Sequence, residues 1–250
     1  MAIMIKTSQE IEKMRRAGKI VHDVLECVRE HVKAGATTLD LENAAEKKIA
    51  ELGAVAAFKG YRGFPCVLCT SVNEEVVHGI PSSGRTLRDG DIVSIDCGVV
   101  IDGYYGDSAI TVPVGVKVSD GAKKLLEVTQ QSLASAIREV KPGATLGDIG
   151  AAVQEVVEAG GFSVVRDFVG HGIGTRMHED PQVPNYGRRG QGTKLREGMV
   201  IAIEPMVNAG RAGVQVLNDG WTAVTEDGSL SAHFEHTVAV TAHGAVVLTQ

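Results

Sequence analysis

The sequence predicts one α/β (α+β) domain whose two similar halves, built of helices and antiparallel strands, face a shared site. Three observations carry this. Residues 91–112, DIVSIDCGVVIDGYYGDSAITV, read as two strands joined at Asp102-Gly103, a two-residue turn of the kind that closes antiparallel hairpins. Val32-Lys33-Ala34-Gly35-Ala36-Thr37 matches Val140-Lys141-Pro142-Gly143-Ala144-Thr145 without gaps; this offset of 108 also aligns Asp40 with Asp148, Leu41 with Ile149 and Ala44 with Ala152. Each copy ends one long helix and opens the next, so the order helix, helix, strands occurs twice. No linker or low-complexity stretch separates the copies. Residues 1–250 therefore read as a single domain, with halves at roughly 1–115 and 116–250.

Residues 8 to about 33 read as a helix, with Ser8 and Glu12 near its start. Ile11, Met14, Ile20, Val21, Val24, Leu25 and Val28 form its apolar stripe, and Lys13, Arg15, Arg16 and Lys19 read as a solvated face. Residues 39–52 read as a second helix, stopped by Gly53. Strand-like stretches follow at 66–72 and 91–112. Residues 117–140 and 146–159 read as the second helix pair, ended by Gly160-Gly161, and short strands with Gly- and Pro-rich loops complete the chain.

A hydrophobic content of 44% with 22% charged residues is ordinary for a soluble globular protein. No apolar run approaches the roughly 20 residues of a membrane helix. The N-terminus lacks the basic, apolar, small-residue order of a signal peptide, so the expected compartment is the cytoplasm. A net charge of −6 argues against a broad nucleic-acid surface. Cys27, Cys66, Cys69 and Cys97 are too scattered for a disulfide framework. Cys66-Val67-Leu68-Cys69 has the C-x-x-C form, but it has no second copy and its flanks look like a strand.

The chemistry starts in the hairpin. With Asp102-Gly103 as the loop, Ile101 faces Tyr104, Gly98 faces Asp107 and Asp96 faces Ala109. Side chains alternate between faces, so Asp96 and Asp107 project from one side as diagonal neighbours, with alpha carbons roughly 7–8 Å apart. Two carboxylates aimed at one spot repel unless a cation lies between them; the alternative is a solvated pair on an exposed face. His171 lies in Val169-Gly170-His171-Gly172-Ile173-Gly174, where flanking glycines allow close backbone approach. Glu204 ends the apolar run Met199-Val200-Ile201-Ala202-Ile203 and is followed by Pro205, a costly place for a carboxylate that is neither paired nor metal-bound. Glu235 opens another β-like run. Four carboxylates and an imidazole exceed one ordinary zinc site and match two divalent ions, which would stabilise a bridging hydroxide near neutral pH.

These five residues, together with NEEVVHGIP at 73–81, GHGIG at 170–174, MHEDPQVPNY at 177–186 and IEPMV at 203–207, resemble type I methionine aminopeptidases along essentially the whole chain. The resemblance implies the pita-bread fold, two pseudo-symmetric halves around a dinuclear metal site. Only 32 residues lie between His171 and Glu204, so the helical insertion of the type II class is absent, and no N-terminal extension is expected. By resemblance Asp96 binds one ion in bidentate fashion, Asp107 and Glu235 bridge both, and His171 and Glu204 complete the other site. Glu204 also shuttles a proton, His178 donates to the scissile carbonyl and His78 contacts the scissile amide. Tyr61, Phe64, Cys69, Met177 and Trp221 form the methionine slot, with Met177 standing where the family has an aromatic residue. His233 shares a strand face with Glu235; a ligand-orienting hydrogen bond and simple packing are both open for it.

The implied reaction is removal of the initiator methionine from nascent proteins whose second residue is small. The implied cofactors are two ions drawn from Co, Mn, Fe(II) and Zn. The implied partners are nascent N-termini and, transiently, the ribosome, with the protein a monomer and no membrane or specific nucleic acid bound. An X-Pro peptidase of the same fold, a binding protein that has lost catalysis, and a purely structural carboxylate cluster are the competing readings.

Overall fold

In a computed structural model that describes residues 2–250, the four helices are α1 Ser8–His31, α2 Thr38–Glu51, α3 Asp120–Glu139 and α4 Leu146–Ala159. The α1 stripe is buried as its spacing predicts, except that Ile11 is only half-buried. The helix begins at Ser8, as read from the sequence, and Thr7 caps its first turn. Thr7 accepts the Glu10 N–H, and the Glu10 carboxylate accepts the Thr7 N–H in return. The basic face of α1 is largely ion-paired, Arg15 with Glu12, Arg16 with Asp102 and Lys19 with Asp23. Helix α3 begins three residues later than its periodicity suggests. Ser119 caps it, and the N–H groups of Val116 and Lys117 donate instead to Asp89. The strand expected at 66–72 starts at Leu68, because the buried Glu42 carboxylate takes the N–H groups of Val67 and Leu68.

The repeat is visible atom by atom. Thr37 and Thr145 cap α2 and α4 through the same box with Asp40 and Asp148. Gly35 N–H donates to Leu87 C=O and Gly143 N–H to Leu195 C=O, each at 2.9 Å. Isolated bridges join Thr37 to Thr86 and Thr145 to Lys194. Every partner in one set lies 108 positions from its counterpart, the offset read from the sequence.

A curled antiparallel sheet joins the halves. Its order is Val55–Ala56, Ile92–Ile101, Tyr104–Pro113, Glu235–Thr241, Val200–Ile203, Gly170–Gly172, Glu179–Val183, with Leu68–Val72 and Gly244–Val247 as side branches. The hairpin register matches the count from Asp102-Gly103, including Gly98 opposite Asp107 and Asp96 opposite Ala109. Val93, Ile95, Cys97, Val99 and Ile101 pack against α1 and α2. Val238, Val240, Ile201 and Ile203 share a core with α3 and α4. With the helices on one face of the hairpin, alternation sends Asp96 to the other. Cys97 is core packing, and all four cysteines are free. No helix among the described residues is long and apolar enough to cross a membrane.

Candidate metal centre

Strand pairing assembles the site before any side chain is considered. Cys69 pairs with Asp96, Asp96 with Ala109, and Ala109 with Glu235. Directly opposed residues share a face, so these four form one row across four strands. Ala109 stands between the two carboxylates, and its small side chain leaves space there. In the next row Gly98 opposes Asp107. A Cβ at Gly98 would lie 2.6 Å from Phe58 Cε1 and 3.1 Å from Met177 Cε, so glycine lets both side chains close over the floor. Asp107 is held from behind by Thr237, which accepts its N–H at 3.2 Å and donates to its carbonyl at 2.8 Å.

His171 completes the floor. Its Nδ1 lies 2.9 Å from the Gly172 carbonyl. A carbonyl only accepts, so Nδ1 carries the proton and Nε2 presents a bare lone pair. That lone pair faces Asp107 Oδ2 at 3.7 Å and Glu204 Oε1 at 3.6 Å. These separations are too long for hydrogen bonds, and three acceptors meet with no donor between them. Asn185 fixes the end of the Glu204 strand by donating to the Glu204 carbonyl at 3.0 Å.

One cavity contains all of the residues singled out from the sequence: Asp96, Asp107, His171, Glu204, Glu235, His78, His178, Tyr61, Phe64, Cys69, Met177 and Trp221. His178 Nδ1 is 2.9 Å from the Tyr61 hydroxyl, with the rings stacked at 5.3 Å, and its ring lies 4.1 Å from that of His171. His78 adopts φ 62° and sits edge-on to Phe168 and Trp221. Phe64 and Trp221 pack edge to face at 5.1 Å. Sequence reasoning missed Phe58, Phe168, Met206 and Arg62, which also line the cavity. Met206 lies inside the quoted motif IEPMV and Phe168 directly precedes Val169-Gly170-His171-Gly172-Ile173-Gly174, signals that could have included them. His233 lies in the lining with its Nε2 buried and unpartnered.

The electrostatics call for a cation. Asp96 Oδ1, Asp107 Oδ1 and Glu235 Oε1 are buried without any hydrogen-bond partner. Burial pushes the Asp96 carboxyl up to about 7. Burial and the charges of the neighbouring carboxylates push Asp107, Glu204 and Glu235 up as well. Burial also brings His171 down to about 4, which keeps it neutral. Donor atoms of Asp107, His171 and Glu235 all lie within 4.8 Å of one another. Carboxylate oxygens without donors and an imidazole with its lone pair inward are the ligands a divalent ion takes, so the residues present fit such a group.

The comparisons agree with this chemistry. The model of metallopeptidase family M24 matches residues 12–242. Methionine aminopeptidase 1 of Bacillus subtilis is 53% identical over 248 residues, covering 99% of each chain. The methionine aminopeptidase of Clostridium acetobutylicum is 52% identical, covering 99% of this chain and 98% of its own. The crystal structure of methionine aminopeptidase from Thermotoga maritima superimposes with a TM-score of 0.98 at 51% identity, over the whole of both chains.

Proposed function

The chain belongs to metallopeptidase family M24 and, within it, to the methionine aminopeptidases, and from that membership we propose that it removes the initiator methionine from nascent proteins whose second residue is small. The observation that carries the reading is the convergence of unpartnered carboxylate oxygens and the His171 lone pair at the closed end of an apolar slot. Asp96, Asp107, His171, Glu204 and Glu235 would hold divalent ions, two by charge balance and chosen by availability from Mn, Fe(II), Co and Zn. When bound there, such ions supply Lewis acidity and lower the pKa of water.

The chain's own residues do the rest. Tyr61, Phe64, Cys69, Met177 and Trp221 make an unbranched, polarizable slot suited to a thioether. The carboxylates attract the substrate's cationic amine, so binding is anchored at a free N-terminus and cleavage stops after one residue. Glu204 takes the proton of the attacking water and passes it to the leaving amine. His178 is brought down to about 3, first by burial, and works as a neutral ring. With the Tyr61 hydroxyl donating to Nδ1, its Nε2–H points a donor at the oxygen that gains negative charge. His78 contacts the scissile amide. Residues 1–250 act in this reading as one catalytic unit with halves meeting near 115, a cytoplasmic monomer that meets chains emerging from the ribosome.

Matched peptides test this by mass spectrometry with Mn or Co added. Met-Ala-Ser and Met-Gly peptides should lose methionine, Met-Lys peptides should lose it poorly, and formyl-Met-Ala-Ser should be left intact. Equal cleavage of the free and formylated peptides would replace the aminopeptidase reading with an endopeptidase or amidase.

A further inference from the structure

Among the described residues, four non-glycine residues have positive φ: Arg62, Asn73, His78 and Asp102. Asn, Asp and His tolerate this region, and Asp102 occupies it as half of the hairpin turn. Arginine has no such tolerance, yet Arg62 sits at φ 50°, ψ 23°. Strained backbone of this kind concentrates at functional sites. The surrounding turn enforces it. Gly60 and Gly63 lie on either side at φ 88° and 91°, and the Gly60 N–H to Phe64 C=O bond closes the turn at 2.8 Å.

The result of this turn is a cation at the rim of the site. Arg62 is the only lysine or arginine among the residues lining the cavity. Its guanidinium lies 5.3 Å from the Tyr61 ring centroid, while its side chain forms no hydrogen bond or ion pair among the described residues. Tyr61 in turn stacks on His178 at 5.3 Å, so the guanidinium is at most roughly 11 Å from the His178 ring. An extended peptide advances about 3.3 Å per residue, which makes that span about three residues of substrate.

We propose that Arg62 forms a specificity subsite for acidic peptides, pairing with a carboxylate on the second or third residue after the scissile bond. The proposal rests on the aminopeptidase reading and adds a preference to it. An arginine fork fits a carboxylate bidentately. The pair is exposed, so the effect is modest, about two- to fivefold in kcat/KM.

The test uses the metal-loaded full chain on amidated Met-Ala-Xaa-Ala and Met-Ala-Ala-Xaa peptides with Xaa as Glu, Gln or Lys. The expected wild-type order is Glu, then Gln, then Lys, carried mainly by KM and shrinking as salt rises. Arg62→Lys should keep part of the preference, Arg62→Gln should bring the Glu-to-Gln ratio to one, and Arg62→Glu should invert the order. A purely structural lesion would slow all peptides alike and leave the ratio unchanged, which would overturn the proposal. A wild-type ratio of one would do the same. Failure of the wild type to release methionine from any of the peptides would remove the aminopeptidase reading and this subsite with it.

Discussion

Stripping metal from the site should make the protein's stability fall as pH rises above neutrality. A carboxyl whose folded pKa is raised contributes stability that is complete below its unfolded pKa and is lost as pH rises through the folded pKa. Asp96 titrates at about 7 in the folded chain against an ordinary 3.8, and Asp107, Glu204 and Glu235 are raised by burial and mutual repulsion. Histidines push the other way, but only at lower pH. His171 and His236 are brought down to about 4, and His178 and His233 to about 3, each first by burial. Their contribution is lost as pH falls below the unfolded value near 6.5 and is constant above it. Buried Cys69 and Cys97, also raised by burial, act in the same direction only from the ordinary thiol value of about 8.5 upward, so the clean window is pH 6.5 to 8. There, each carboxyl that stays protonated in the folded chain and ionised in the unfolded one lowers stability by about 1.4 kcal/mol per pH unit. For a chain of this size that is roughly 3–6 °C of Tm per unit for each such group. The assay is thermal melting of chelator-treated protein across this window, alongside Mn-loaded protein and the Asp96→Asn variant. The loaded protein should be flatter and more stable, and the variant should lose part of the slope while metal-free. A metal-free Tm that stays flat or rises from pH 6.5 to 8 would refute the charge repulsion derived from this geometry, and a fall unaltered by Asp96→Asn would locate its cause elsewhere.

Other outcomes follow from the same contacts. Asp107→Asn should lose metal content and activity together, by elemental analysis and peptide assay, while circular dichroism shows the fold retained by its apolar core. Glu204→Gln should lower kcat by at least about a hundredfold with a much smaller change in KM, and a defect confined to KM would contradict proton transfer by this residue. Lys6 and Glu179 form a buried ion pair at 2.6 Å, and Glu179 also accepts the N–H groups of Thr175 and Arg176 beside His178. Lys6→Met should cost about 3–5 kcal/mol by urea unfolding, and the Lys6→Met/Glu179→Gln double variant should cost less, since the first leaves a bare buried charge.

What could be read from the sequence was whatever local chemistry sets. The turn at Asp102-Gly103 has φ 52° and 78°, a conformation open to few residue pairs, and counting from it placed Asp96 opposite Ala109 and Gly98 opposite Asp107. The repeat located the helix joints because each carries its own capping box. Element ends were harder. Glu42 captures the N–H groups of Val67 and Leu68 from 25 and 26 positions away, and Asp89 captures those of Val116 and Lys117 from 27 and 28 positions away, distances at which no periodicity informs. Phe58 and Met177 meet over Gly98 for the same reason: three segments remote in sequence converge on one point. Arg62 was unreadable because nothing in Gly60-Tyr61-Arg62-Gly63 says which residue takes the strained angle.

The strand Glu235–Thr241 bonds on one side to the hairpin and on the other to Val200–Ile203. Backbone bonds are indifferent to side chains, so a neighbouring alignment of this strand could satisfy most of them. Its chemical content would differ entirely. Slipped by one position, the strand would turn Phe234 or His236 toward Ala109 and send Glu235 into the apolar layer. Only one setting brings a carboxylate from this strand level with Asp96, so an ion held by both would bind that setting and no other. A divalent ion present while the sheet closes would therefore favour the correctly aligned strand by mass action before any peptide arrives.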